Sequence, residues 1–175
     1  NFKHPLNKMI EGLSNKEYHE AGGLSSTKFP LMEKSIRVFL YRYLFDFWKP
    51  CFDKGNLIHD CILLPELVEN TYIESPTSGT DTVAANKSRE QYRDVAKIVR
   101  VIFPFLALDT TKTEVSFFHY HKELDLILQI RPDIYNEKIG MLYDVKSTKA
   151  DNHREFEKVI EEYNYDLSIA FYYDV

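Results

Sequence analysis

Apolar and polar residues alternate along residues 124–131, where Leu124, Leu126, Leu128 and Ile130 share one side of an extended chain ending at Arg131. This period of two predicts a strand. Residues 114–120 predict a strand before it, and residues 139–147 one after it. Helical spacing governs the flanks. Leu31 to Trp48 is rich in aromatics and predicts one helix, ended by Pro50. A second helix starts near Lys54 and carries Leu57, Ile58, Cys61 and Ile62, with Pro65 near its end. Ser88-x-x-Gln91 has the form of a capping box, followed by Tyr92, Val95, Ala96 and Val99 on one face and a stop before Pro104. Asn152-x-x-Glu155 caps a last helix with Phe156, Val159, Ile160 and Tyr163 on its stripe.

Between these elements, residues 74–87 lack large side chains and predict a surface loop. Gly22-Gly23-Leu24-Ser25-Ser26 reads as a turn into a helix N-cap. Residues 1–21 are mixed and predict a partly ordered N-terminal arm, leaving 22–175 as one domain. Helices first, then strands, then a helix give an α/β domain with a central sheet flanked by helices.

Composition sharpens this only a little. An apolar content of 44% with 14% aromatics over 175 residues suits a single globular core. No apolar run approaches the roughly 20 residues needed to cross a bilayer, so no membrane partner is expected. Cys51 and Cys61 form no metal knuckle or disulfide framework, which makes a reducing cytoplasmic setting the default. The net charge of −5 does not announce a nucleic-acid binder, so any such contact needs a local basic surface.

The chemistry concentrates at Arg131-Pro132-Asp133 and, ten residues on, Tyr143-Asp144-Val145-Lys146. Alternate strand residues share a face, so Asp144 and Lys146 project together while Tyr143 and Val145 point away. Two carboxylates at neighbouring strand ends can share one hard cation, and such an ion keeps waters for phosphate chemistry. A solvated lysine paired with Asp144 is the plainer alternative.

Further motifs occur in a fixed order: Gly55-x-x-x-His59-x-x-x-Leu63-x-Pro65-Glu66, then Glu114-x-Ser116, the Arg131-Pro132-Asp133 strand, and Tyr163-Asn164-Tyr165 running to Ala170-Phe171-Tyr172. Together they resemble the exodeoxyribonuclease VIII (RecE-type) nucleases, over nearly the whole chain. The resemblance implies a PD-(D/E)xK restriction-endonuclease-like core with a central mixed sheet. It implies Asp133, Asp144 and the Val145 carbonyl as ligands for Mg²⁺, with Mn²⁺ as a substitute. Lys146 would orient the attacking water and offset transition-state charge. His59 would be a metal ligand or phosphate contact, against the plainer reading of a satisfied core histidine. Glu114 would touch a second metal or the water shell, or simply be an exposed strand-end carboxylate.

For DNA the candidates are Arg131, either bidentate to phosphate or paired with an aspartate, and Ser147 and Thr148, which either bond the substrate or end the strand. Lys28, Lys34, Arg37 and Arg42 form the densest basic surface, near the Ser25-Ser26 cap of a helix N-terminus that can bind phosphate, against the plainer reading of a solvated helix face. His119 and His121 read as ordinary strand residues. Two departures stand out: Ser168 where the family has glutamine, and Asp166 where it has histidine. The family's C-terminal elements are also expected beyond Val175. The implied activity is a 5′-3′ exonuclease at duplex ends, of the phage or bacterial recombination type, in a bacterial cell or infected host. A single-strand annealing protein and a ring-shaped homo-oligomer are the implied partners. The alternatives are a CRISPR-associated (Cas4-like) or RecB-like nuclease, or a degenerate fold that only binds nucleic acid or protein.

Overall fold

A computed structural model describes residues 2–44, 58–64 and 82–175, and for residues 29, 42–44 and 82–89 the backbone alone. Its elements in chain order are β1 (Met9–Ile10), α1 (Asn15–Glu20), α2 (Phe29–Lys34), α3 (Ile36–Leu44), helical residues 58–63 (α4) and α5 (Thr82–Ile102). There follow β2 (Thr111–Thr113), β3 (Ser116–His121), β4 (Leu126–Ile130), β5 (Ile134–Asn136), β6 (Met141–Tyr143), α6 (His153–Tyr163) and α7 (Tyr165–Asp174). The protein is α/β, as the hydrophobic pattern predicts.

The sheet differs from a single central mixed one. Among the described residues the strands form two three-stranded antiparallel sheets, β1-β3-β4 and β2-β5-β6. Their registers show how they relate. Thr113 faces Ile134 in one and Phe117 faces Ile130 in the other, so three residues intervene on each strand, 114–116 and 131–133. The two sheets are thus halves of one antiparallel ribbon, interrupted without a slip in register. Pro132 is fully buried and has no N–H to give to a ladder, and Glu114 adopts φ 54°, which bends its strand out of the pleat. A parallel bridge from Leu24 to Leu128 flanks β4.

Two faces of the ribbon bury different partners. Leu128 and Ile130 pack with Phe171 of α7, alongside Leu24 and Phe117. On the other face Phe118 is fully buried, with Phe2 and His4 ring centroids 5.1 and 5.0 Å away. Gln129 works there too, accepting the Gly23 N–H at 2.8 Å and donating to the Tyr18 carbonyl at 3.2 Å. A third cluster joins Cys61 and Ile62 of α4 to Ala96 of α5 and Ile134 of β5.

Several element boundaries move. The first twenty residues are built into the fold: β1 pairs with β3, and a Ser14–Glu17 capping box opens α1. The helix expected over 31–48 is divided by the extended Ser35 (φ −175°, ψ 134°), and its expected end at Pro50 lies outside the described residues. No serine side chain caps α2; Ser26–Lys28 form a 3₁₀ turn before it. α5 begins at Thr82, so Ser88-x-x-Gln91 lies within the helix, where Ala84 and Ala85 upstream favour helix over loop. The rest of the expected 74–87 loop, with Lys54, Leu57 and Pro65 of the second helix, lies outside the described residues. The strand expected from Leu124 starts at Leu126, because Asp125 takes φ 51° and leaves Leu124 in a turn, 58% exposed. The pairing of β6 stops at Tyr143, before the Asp144–Lys146 stretch. Asn152 caps α6 through Glu155 N–H as its spacing predicts.

Replacing Phe118 by Ala removes the largest fully buried side chain among the described residues. The expected cost is about 3–5 kcal/mol, read as a lower urea midpoint at unchanged m-value. A shift equal to that of Leu124→Ala, which removes an exposed side chain, would contradict this packing.

Candidate functional site

The interruption of the ribbon creates the site. Asp133 leaves β5 at the break, and the antiparallel pairing of β5 with β6 sets Ile134 opposite Tyr143, so Asp133 and Asp144 are the next pair across. The pairing sets their carboxyls close enough to act on each other electrostatically. Asp133 Oδ2 accepts the Val145 N–H at 2.5 Å. Its Oδ1 stands 2.9 Å from His59 Nε2. Lys146, on the same side of the chain as Asp144, brings Nζ to 2.5 Å from its Oδ2.

His59 reaches the ribbon because α4 packs its Cys61 and Ile62 into the core beside Ile134. Its other nitrogen, Nδ1, lies 3.5 Å from Glu114 Oε1. Glu114 is held from its backbone by the N–H bond to the Asp133 carbonyl at 3.1 Å. Its left-handed backbone costs on the order of 1–3 kcal/mol, a strain usually retained where a side chain must be aimed. Ligand atoms of His59, Glu114 and Asp133 all lie within 4.8 Å of one another, close enough to hold one ion.

Electrostatics mark this group as short of positive charge. Burial and then the adjacent Asp133 hold the Asp144 carboxyl above the usual carboxylate range, despite Lys146. Burial also raises Glu114; His59 pulls it back and Asp133 adds to the rise. Burial alone would lower His59, but the Asp133 hydrogen bond and the charges of Asp133, Glu114 and Asp60 leave it above its ordinary value. All three shifts favour the protonated form. A divalent cation would relieve the same crowding; the carboxylate oxygens suit a hard cation and the imidazole a transition-metal ion.

An open cleft of about 280 Å³ adjoins Asp144 and Lys146. Ser26, Lys34, Tyr163, Tyr165, Ser168 and Tyr172 line it, Ser26 being itself buried. Ser168 therefore faces the space where the resemblance would put a glutamine, while Asp166 is exposed. Burial pushes the Tyr172 hydroxyl well above its ordinary pKa.

Not every expected residue joins the site. Arg131 is turned inward and its guanidinium is occupied. Nε donates to Ser116 Oγ at 2.9 Å, Nη1 to Asn15 Oδ1 at 3.2 Å, and Nη2 to the Leu13 carbonyl at 2.8 Å. It also lies 4.3 Å over the Tyr18 ring and 3.9 Å from Glu114 Oε2. Arg131 is thus a buried tie to the N-terminal arm, not a surface free to meet phosphate. Lys28 likewise gives Nζ to the Gly23 carbonyl at 2.7 Å. Ser25 is buried and bonds Thr27 Oγ1 at 3.1 Å. Ser147 and Thr148 are exposed beyond Lys146, and Thr148 Oγ1 accepts the Ala150 N–H. Arg37 is exposed on α3, and the side chain of Arg42 lies outside the described residues, as do Gly55, Pro65 and Glu66. His119 bonds Asn7 Oδ1 of the N-terminal arm at 2.6 Å, and His121 accepts the Leu124 N–H at 3.3 Å within its own turn. The clamp of Leu13, Ser14 and Asn15 on Arg131 was not foreseen; the Ser14-x-x-Glu17 capping box was its visible signal.

No protein-family model matches the chain, and no curated protein matches it.

The raised carboxyls predict a pH signature. A carboxyl whose folded pKa exceeds its unfolded value stabilises fully below the unfolded pKa, and that contribution is lost as pH rises through the folded pKa. In EDTA, the Tm of the wild type should therefore fall from the ordinary carboxylate range towards neutrality more than that of Asp144→Asn. Parallel Tm–pH curves for the two proteins would contradict the crowding at Asp144.

Proposed function

We propose that the chain is a metal-dependent deoxyribonuclease built on a PD-(D/E)xK-type core, hydrolysing phosphodiester bonds at duplex ends. The observation that carries this reading is the convergence of Asp133, Asp144 and Lys146 at one point, with Asp144 and Lys146 lining an open cleft. His59 and Glu114 lie with Asp133 close enough to share one ion. Asp133 and Asp144 would hold Mg²⁺ or Mn²⁺, with His59 or Glu114 and the Val145 carbonyl as further donors. When bound, the ion would supply Lewis-acid activation of water and phosphate.

The residues of the chain supply the rest. Lys146, partly exposed beside Asp144, is in place to orient a water and to offset the charge that grows on phosphate oxygens. Asp133 fixes the Asp144–Lys146 stretch by accepting the Val145 N–H, so the carboxylate pair and the lysine keep their spacing. Lys34, exposed where it lines the cleft, offers a cation to the substrate backbone, while Ser26 is buried beneath it. No described helix is long and apolar enough to cross a membrane. The exonuclease direction, an annealing partner and a homo-oligomer belong to the same proposal by resemblance, and a cytoplasmic setting belongs to it from the cysteine usage.

The direct test is incubation with linear and with circular duplex DNA, with and without Mg²⁺. Mg²⁺-dependent loss of linear DNA alone is expected; loss of both would indicate an endonuclease, and loss of neither a binding module. Asp144→Ala should abolish cleavage with the fold retained. Lys146→Ala should still bind Mn²⁺ by calorimetry yet cleave at least ~10²-fold more slowly. Loss of metal affinity together with rate would give Lys146 a structural role instead.

A further inference from the structure

Asn164 takes the left-handed conformation (φ 55°, ψ 45°), which ends α6 and starts α7 with one tyrosine on each side. The Tyr163 and Tyr165 rings stack on each other, 5.8 Å between centroids and 25° between planes. Lys146 Nζ stands 5.3 Å from the Tyr165 centroid, so the ring pair begins at the proposed catalytic lysine. Both tyrosines line the cleft that Asp144 and Lys146 share, yet Tyr163 remains 57% exposed. A ring pair of this kind presents an apolar face next to the position of the phosphate. Glu162, which also lines the cleft and neighbours Tyr163 in sequence, disfavours a second phosphate there and leaves an uncharged flat group as the better match.

We propose that Tyr163, backed by Tyr165, is a stacking platform for one unpaired nucleobase adjoining the scissile phosphate, so that the cleft takes single-stranded or frayed ends. In a closed duplex each base face is already covered by its neighbours, so only an opened strand can use the platform. The inference rests on the nuclease reading for the position of the phosphate. Aromatic stacking of this kind tolerates any base sequence.

The test measures binding of the full chain, by fluorescence anisotropy, to an oligothymidylate and to an abasic oligonucleotide of equal length and charge. Ca²⁺ replaces Mg²⁺ to hold hydrolysis off. The wild type should prefer the oligothymidylate by about tenfold, one base stacked. Tyr163→Ala should erase that preference and Tyr163→Phe should keep it; circular dichroism checks that both variants fold. Equal binding of the two oligonucleotides by the wild type, or no binding of either, would overturn the platform. So would a Phe variant as weak as the Ala variant, since the hydroxyl would then be the contact. Cleavage of linear duplex with Mg²⁺ is scored separately. Cleavage without base preference sinks the platform alone, and base preference without cleavage sinks the nuclease reading alone.

Discussion

One carboxylate holds the centre of this protein together. Asp133 accepts the Val145 amide on one oxygen and faces His59 on the other, while its neighbour across the strands is Asp144. Its side chain is only 10% exposed, and a buried carboxylate must be met by donors or by charge. Those needs bring β6, α4 and the break in the ribbon to one point. The break itself depends on Pro132, which cannot donate to a ladder, and on Glu114, whose bent backbone bonds the Asp133 carbonyl.

Behind that point stands a second layer. Arg131 ties the N-terminal arm to Ser116 and reaches towards Glu114, while Gln129 ties the same arm through Gly23 and Tyr18. On that face, side chains at alternate positions of β4 and its extension anchor the arm; the other face holds Leu128, Ile130 and Phe171. The arm is therefore part of what aims Glu114 at His59. A buried, fully engaged guanidinium also explains why a protein of net charge −5 shows little basic surface at this strand.

Much of the site was legible in the sequence because its residues act through short spacings. The period of two puts Asp144 and Lys146 together, and the order of the motifs drew Asp133 and His59 to them; the structure brings all four within one cluster. What spacing could not give was direction across long separations. Arg131 alternates correctly along its strand, but which face of the ribbon the arm covers is decided by tertiary packing, and that turned its side chain inward. The single mixed sheet failed for a similar reason. A strand pattern cannot reveal that Glu114 takes a positive φ or that the ladder lapses at Pro132. Lys28 read as a basic surface residue, yet its flexible stem reaches the Gly23 carbonyl. Boundaries such as Ser35 and Thr82 turned on local conformation and helix propensity that competing turn signals obscured.

On the proposed function the carboxylate pair holds a divalent cation. The most direct measurement is anomalous X-ray diffraction from crystals of the protein soaked in Mn²⁺. A Mn²⁺ peak bonded to both Asp133 and Asp144, at roughly the 2.0–2.2 Å usual for hard cations on carboxylate oxygen, is the predicted result. Saturating Mn²⁺ that leaves no peak at Asp133, with His59 still hydrogen-bonded to it, would contradict the account.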